Sequence, residues 1–367
     1  SKVVRENTFS SAKNDTFIGT GDITWMPMPR LTFFLKYRHR EIDNDTPATI
    51  TTADVFDPSQ TVTYKVKPPL SSVSDNVSGV VRYRPLSGVT LKGEYTYENI
   101  RRENAEAWNL PGSTSRNIAS LSADVRIMKG LNLKARYTYT AINDPAYNNE
   151  PDHSNEGRVS LSWIPIPQIT ALLSYVASKE KRDDLLFYDA EGNRIGDAKN
   201  RDAKRDRLLG SITFLLKKEL SLTASYSYIH NNVKQDTVYQ SFDVDQTTIV
   251  DPMVPYKDLA RNYSLDITYV PTKNMTFQAG ASYTASSGQF YPGNTFLLEP
   301  TSIAAFSDLK TRETVCSLSG EYQFKNNVSL GLRYKYSNFK NVFNNLSAEV
   351  PDGTAHIVIV TLSKRWK

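Results

Sequence analysis

The chain has almost no sulfur chemistry. One cysteine stands among 367 residues, so no disulfide framework can form within it. No Cys-x-x-Cys-His occurs, so the chain attaches no c-type haem of its own. Histidine is nearly as scarce. His39, His153, His230 and His356 fall near strand ends or in loops, with no Gly-x-Ser-x-Gly nearby, so the Ser/His or Asp/His set of a barrel hydrolase is not expected and neither is an enzyme. No apolar run approaches the roughly 20 residues of a membrane helix, which excludes a helical membrane protein. Apolar residues make up 39% of the chain, below the roughly 45–50% of globular domains. The net charge of +5 comes without a Lys/Arg cluster, so nucleic acid is not an expected partner. The opening Ser1-Lys2-Val3-Val4-Arg5 is neither an initiator Met nor the apolar stretch of a signal peptide.

What the chain does have is tyrosine, 21 residues of it, and alternation with period two. In Val89–Glu98 the odd positions read Val, Leu, Gly, Tyr, Tyr and the even ones Thr, Lys, Glu, Thr, Glu. Such a pattern marks a strand with two unlike faces. Fifteen segments carry it, near 15–25, 31–41, 74–84, 89–99, 116–127, 131–141, 155–163, 169–178, 206–215, 220–230, 261–270, 275–285, 312–324, 328–337 and 355–366. Most have the roughly 9–12-residue length of a tilted strand crossing a bilayer, longer than the about 5–6 residues of globular strands. Odd segments are followed by tight turns such as Pro85-Leu86-Ser87-Gly88 and Met128-Lys129-Gly130. Even segments are followed by long polar loops such as 42–73, 179–205, 231–260 and 286–311. A soluble sandwich gives no reason for that asymmetry, whereas an outer-membrane barrel requires it.

Aromatic residues mark both ends of the apolar face. Trp25, Tyr83, Trp163, Phe214, Tyr269 and Phe324 lie beside the short turns, and Tyr37, Tyr97, Tyr139, Tyr175, Tyr228, Tyr283 and Tyr336 beside the long loops. Two belts at fixed depth fit the headgroup levels of a bilayer. The expected fold is therefore all-β: one transmembrane antiparallel up-and-down β-barrel over residues 1–367, with at least 15 strands. Because 15 is odd and bacterial single-chain barrels usually have an even number, at least one strand and a signal peptide are expected upstream of Ser1. Trp25-Met26-Pro27-Met28-Pro29 is echoed by Trp163-Ile164-Pro165-Ile166-Pro167, through hairpin duplication or convergent turn chemistry.

The opposite face is wet and charged. Its candidate partner-contacting residues are Lys36, Arg38, Arg82, Lys92, Glu94, Glu98, Asp124, Arg126, Lys134, Arg136, Arg158, Arg333 and Lys335. Arg84, Asp266 and Glu321 belong to it too, and later strands bring Ser221, Thr223, Ser225 and Ser227 inward. These charges line a lumen or pair across strands as structural ladders. The short-turn rim is basic, with Arg30, Lys129, Lys217, Lys218, Lys273 and Lys325 against Glu219, and suits anionic lipid or an acidic partner. Acidic runs at Asp43-Asn44-Asp45, Asp183-Asp184 and Asp243-Val244-Asp245 are candidate loop Ca²⁺ ligands, although the Gly and distal Glu of an EF-hand are missing. Cys316 falls on the apolar face as a small lipid-facing residue.

Leu35-Lys36-Tyr37-Arg38-His39-Arg40-Glu41-Ile42-Asp43-Asn44-Asp45-Thr46-Pro47 resembles the tyrosine-rich strand and loop start of decahaem-associated outer-membrane porins of the MtrB/PioB type. Tyr95-Thr96-Tyr97-Glu98-Asn99-Ile100-Arg101-Arg102-Glu103-Asn104 resembles their strand and loop entry, and Arg84-Pro85 and Val270-Pro271 fit their turn style. Trp366 resembles the C-terminal aromatic of barrel assembly signals, with Lys367 departing from it. The resemblance implies a Gram-negative outer-membrane sheath. A periplasmic multihaem c-type cytochrome would sit inside the barrel, an outer-surface multihaem cytochrome would dock on the long loops, and the haem c would belong to those partners. The competing expectation is a diffusion or substrate-specific porin for small, preferentially anionic solutes.

Overall fold

The computed structural model describes residues 4–5, 13–46, 49–54, 61–65, 67–189, 192–240, 248–292, 308–324, 327–342 and 352–364. Among them lie β1 (Val4–Arg5), β2 (Lys13–Met28), β3 (Leu31–Asp45), β4 (Thr49–Asp54), β5 (Thr61–Lys65), β6 (Ser72–Leu86), β7 (Val89–Arg102), β8 (Ser113–Met128) and β9 (Leu131–Asn143). They continue with β10 (His153–Ile166), β11 (Ile169–Arg182), β12 (Arg201–Lys217), β13 (Leu220–Gln240), β14 (Thr248–Thr272), β15 (Met275–Phe290), β16 (Leu309–Gln323), β17 (Val328–Asn341) and β18 (Gly353–Lys364). β1, β4 and β5 form a small sheet of their own. The other 15 strands form one antiparallel sheet in which each strand pairs with its neighbours in sequence, β2–β3–β6–β7 and then straight on to β18. This is the wall of an up-and-down barrel. An odd number of alternating strands makes β2 and β18 run the same way, and they are the sheet's two outer strands.

The short-turn end repeats one local construction. Ladder register slips between Trp25 and Met28, Tyr83 and Leu86, Trp163 and Ile166, and Tyr269 and Thr272. Each gap holds a proline: Pro27, Pro85, Pro165 and Pro271. Proline has no N–H to give the ladder, so pairing stops there and the strand bends into its turn. An aromatic stands two residues before each proline, at the belt. Adjacent hairpins are then tied at this rim, because a turn carbonyl of one accepts an N–H from the next: Arg84 to Arg30, Ile164 to Gly130, and Val270 to Glu219, at 2.7–2.8 Å. Gly130 is required there. Its φ is +81°, and a Cβ would lie 2.2 Å from the Ile164 carbonyl oxygen.

Among the described residues, neither face of the 15-stranded sheet packs against a second sheet. The buried apolar side chains among the described residues are Ala105, Ile142, Ala146, Leu185, Ala198, Ala203 and Val254, all toward the long-loop end. Between the belts Leu121, Leu173 and Leu332 are 68%, 48% and 55% exposed. A single apolar rung runs Val125–Leu133–Leu161–Leu173 across four strands. Soluble monomers do not leave so wide a continuous apolar band in water, and hydrocarbon is the medium that suits it. Cys316 is exposed on this face, opposite Ala281 and Tyr336.

Two expectations need correction. The strands are longer than the bilayer needs, and residues 231–240 and 248–260 are strand, not loop: β13 and β14 continue as a paired ribbon to Gln240 and Thr248. Beyond the headgroups both faces meet water, so the ladder persists without apolar alternation. The shorter loops are ordered as well. Arg182, 3% exposed, donates to the Asp184 and Pro145 carbonyls and to the Asp152 carboxylate. Asn148 and Leu186 exchange two hydrogen bonds. Asp236, 4% exposed, accepts the backbone N–H groups of Lys199, Asn200 and Met253 at 2.8–3.0 Å, latching the 183–200 loop to the β13–β14 ribbon.

Candidate functional site on the polar face of the wall

Strand alternation puts every candidate residue on the polar face, but ladder register sorts them into different situations. Glu98 is satisfied: it faces Arg116 at 3.1 Å, and Arg116 also reaches Glu150 at 2.6 Å. Lys134 faces Asp124 directly, at 3.6 Å. Lys92 and Arg136 share Glu94, at 2.8 and 3.7 Å. Arg158 reaches Glu156 at 3.5 Å on its own strand. Arg82 lies over the Phe34 ring, 5.5 Å from its centroid, with no carboxylate within ion-pair distance among the described residues. Lys36 stands in register with Asp22, and Arg38 with Thr20 and Asn76. Arg126 is opposite Asn132, beside the β8–β9 turn. On the far side of the sheet Arg333 faces Ser319 and Ile359, and Lys335 faces Ser317 and Ile357.

The face therefore divides into two sectors. From β6 to β10 it is charged. From β12 onward hydroxyls predominate and meet across the strands, Thr213 with Thr223 at 3.0 Å, Ser225 with Ser264 at 2.6 Å and Ser329 with Ser363 at 2.6 Å, with Asp266, Glu321, Arg333 and Lys335 as scattered charges among them. Small hydroxyl side chains leave space beside the wall and offer weak, reversible hydrogen bonding.

The sequence reading missed a repeated device on the apolar face. Tyrosine hydroxyls reach diagonally across to a polar residue one strand over. Tyr37 donates to Asp75, Tyr95 to Asn117, Tyr137 to Asn155 and Tyr175 to Asp206, at 2.5–2.7 Å. His39 Nδ1 and Arg101 also contact Asp75, at 2.8 and 3.2 Å. Each pair gives the amphipathic ring a polar anchor on the long-loop side of the belt. The signal was present as a Tyr in one strand and an acceptor two places off register in the next.

The basic rim residues Lys129, Lys217, Lys218 and Lys273 are exposed, and Arg30 donates to the Pro85 carbonyl. Among the acidic loop runs, Asp183 pairs with Lys181 and Asp184 with Arg194, and no group of three or more metal-ligating side chains gathers among the described residues. Asp243, Asp245, Lys325 and Trp366 lie outside the described residues.

Residues 12–166, which carry β2 to β10 and the charged sector, match the family model described as "Putative outer membrane beta-barrel porin, MtrB/PioB". Over this stretch the chain is similar to outer-membrane β-barrel porins of the MtrB/PioB type. The chain belongs to the Gram-negative outer membrane. No curated protein matches it. Among solved structures it is similar to the copper transporter OprC, with 10% identity over 92% of this chain and 64% of that one, at a TM-score of 0.45. The unliganded ferric citrate transporter FecA shares 12% identity over 96% and 63% of the two chains, at 0.40. OmpT, an outer membrane protein of Vibrio cholerae, shares 11% over 98% and 99%, at 0.35. The porin chain thus spans slightly under two thirds of the length of OprC.

Proposed function

We propose that the porin is the insulating sheath of a transmembrane electron conduit, holding a multihaem c-type cytochrome within its lumen. The observation that carries this reading is the two-sector polar face inside a barrel wall of this family. A charged sector of both signs suits the surface of a folded guest, and a sector rich in small hydroxyl side chains lets that guest sit close. Each exposed ion pair is worth about 0–1 kcal/mol, so retention has to come from many of them together. The apolar band would keep the electron path away from lipid, and the porin itself would do no redox chemistry. The ordered loops of the 103–112, 144–152 and 183–200 connections would offer a stable platform to an outer-surface cytochrome.

A second reading has one observation in its favour: cations outnumber carboxylates around the hollow beside β6–β10. An open lumen of that kind would pass small anions preferentially. Isolation of the intact protein in mild detergent separates the two readings. The sheath reading predicts haem-stained polypeptide in fixed ratio to the barrel. A stable, haem-free barrel that conducts anions favours the second.

A further inference from the structure

One rung of the charged sector sets like charges directly opposite one another. Arg82 is directly opposite Lys92, Lys92 opposite Ser122, Ser122 opposite Arg136, and Arg136 opposite Arg158. Like charges directly opposite on adjacent strands repel, and structural ladders place opposite signs there. The same wall does so elsewhere, at Glu98–Arg116 and Asp124–Lys134. On this rung two cation pairs, Arg82/Lys92 and Arg136/Arg158, stand side by side across five strands. Strands lie about 4.8 Å apart, so Lys92 and Arg136 are separated by roughly 10 Å and the whole rung by roughly 19 Å.

These residues border an open hollow of about 560 Å³ on the polar face. Arg84 and Lys134 join them, and Asp124 is the one carboxylate on its lining. Glu94 and Glu156 sit on the next rung toward the long loops, in line with Ser120 and Thr138. They neutralise part of the charge and leave the hollow itself cationic.

We propose that this rung is a binding site for a polyvalent oxyanion, a cluster of carboxylates or phosphates spaced about 10 Å apart. A monovalent anion would meet one cation pair at a time, whereas a polyvalent one relieves both repulsive pairs together. The arginine guanidinium fork favours two-oxygen groups. The site is independent of the sheath reading, because the ligand groups come either from the acidic face of a guest protein or from a free polyvalent anion.

The probe is mellitate (benzenehexacarboxylate), titrated calorimetrically at low ionic strength into full-length porin freed of any guest. Wild type binds, and added salt weakens the binding. The double variant Arg136→Gln/Arg158→Gln binds about tenfold more weakly, the combined loss of two partly screened charge contacts. Arg136→Lys/Arg158→Lys, which keeps the charge, binds more tightly than the Gln pair. Heat-modifiable gel mobility confirms that each variant barrel is folded. Absence of mellitate binding, or equal binding by wild type and the Gln pair, overturns the proposal. Equal loss in the Lys and Gln pairs overturns it as well. A second arm titrates the natively isolated protein with any guest in place. Mellitate excluded until the guest is removed assigns the site to the guest's acidic groups. Mellitate bound with the guest present assigns it to free anions. Either result supports the site.

Discussion

Leu133→Arg should cost the folded barrel about 1–3 kcal/mol, and Asn132→Arg, one residue away, less than about 1 kcal/mol even with Arg126 opposite it. The two positions differ only in the face they occupy. Leu133 lies between Val125 and Leu161 on the apolar rung, one step inside the Leu131–Trp163 belt level, and the guanidinium there would be stripped of water within the hydrocarbon. Asn132 faces the polar side, opposite Arg126 and Ser162, where an added cation stays solvated. Reversible unfolding from lipid vesicles in a denaturant series reads both. Equal costs at the two positions would mean that the faces have been assigned wrongly.

Asp236→Ala should release the 183–200 loop from the β13–β14 ribbon. Three backbone donors would lose their acceptor, at about 1–3 kcal/mol for each one that water cannot reach. Hydrogen exchange at the Lys199 and Asn200 amides should speed up at least about tenfold, since 1.4 kcal/mol is one decade. Acid should have the same effect on the wild type. Burial works against the charged form of Asp236, but the N–H groups of Lys199, Asn200 and Met253 outweigh it and hold the carboxyl below the ordinary carboxylate value. A folded-state value below the unfolded one means stability present above the unfolded pKa of about 3.9 and lost as pH falls through the folded value. The latch should therefore stay closed from neutral pH to below the ordinary carboxylate value and open only as pH falls through the lowered folded-state value. Unchanged loop exchange between pH 7 and strong acid would contradict this assignment.

The difference between what was and was not legible in the sequence follows from range. Period-two alternation is a local signal, and it located the 15 wall strands, the short turns and both aromatic belts from residues such as Val89–Glu98. It failed at 231–240 and 248–260 because the ribbon there has water on both faces, so nothing forces alternation. It could not see the Asp236 cradle or the Arg182 hub, whose partners lie tens of residues away in other loops. The candidate polar-face residues were named from alternation alone, without Arg116 and Glu156, which pair with Glu98 and Arg158. Which of them oppose one another was not legible, because register across each hairpin depends on the slip at Pro85 and its equivalents, and register between hairpins depends on the ordered loops. Arg82 against Lys92 and Arg136 against Arg158 emerge only once those slips are in place.

The sheath reading is tested most directly by electron transfer across a sealed membrane. Natively isolated porin, with whatever it retains, is placed in lipid vesicles that enclose a reduced viologen dye, and a membrane-impermeant ferric chelate is added outside. The account predicts rapid dye oxidation that requires haem-bearing polypeptide in the vesicles, with enclosed small anions retained. Vesicles that release their anions, and oxidise the dye no faster than barrel-free vesicles, would contradict it.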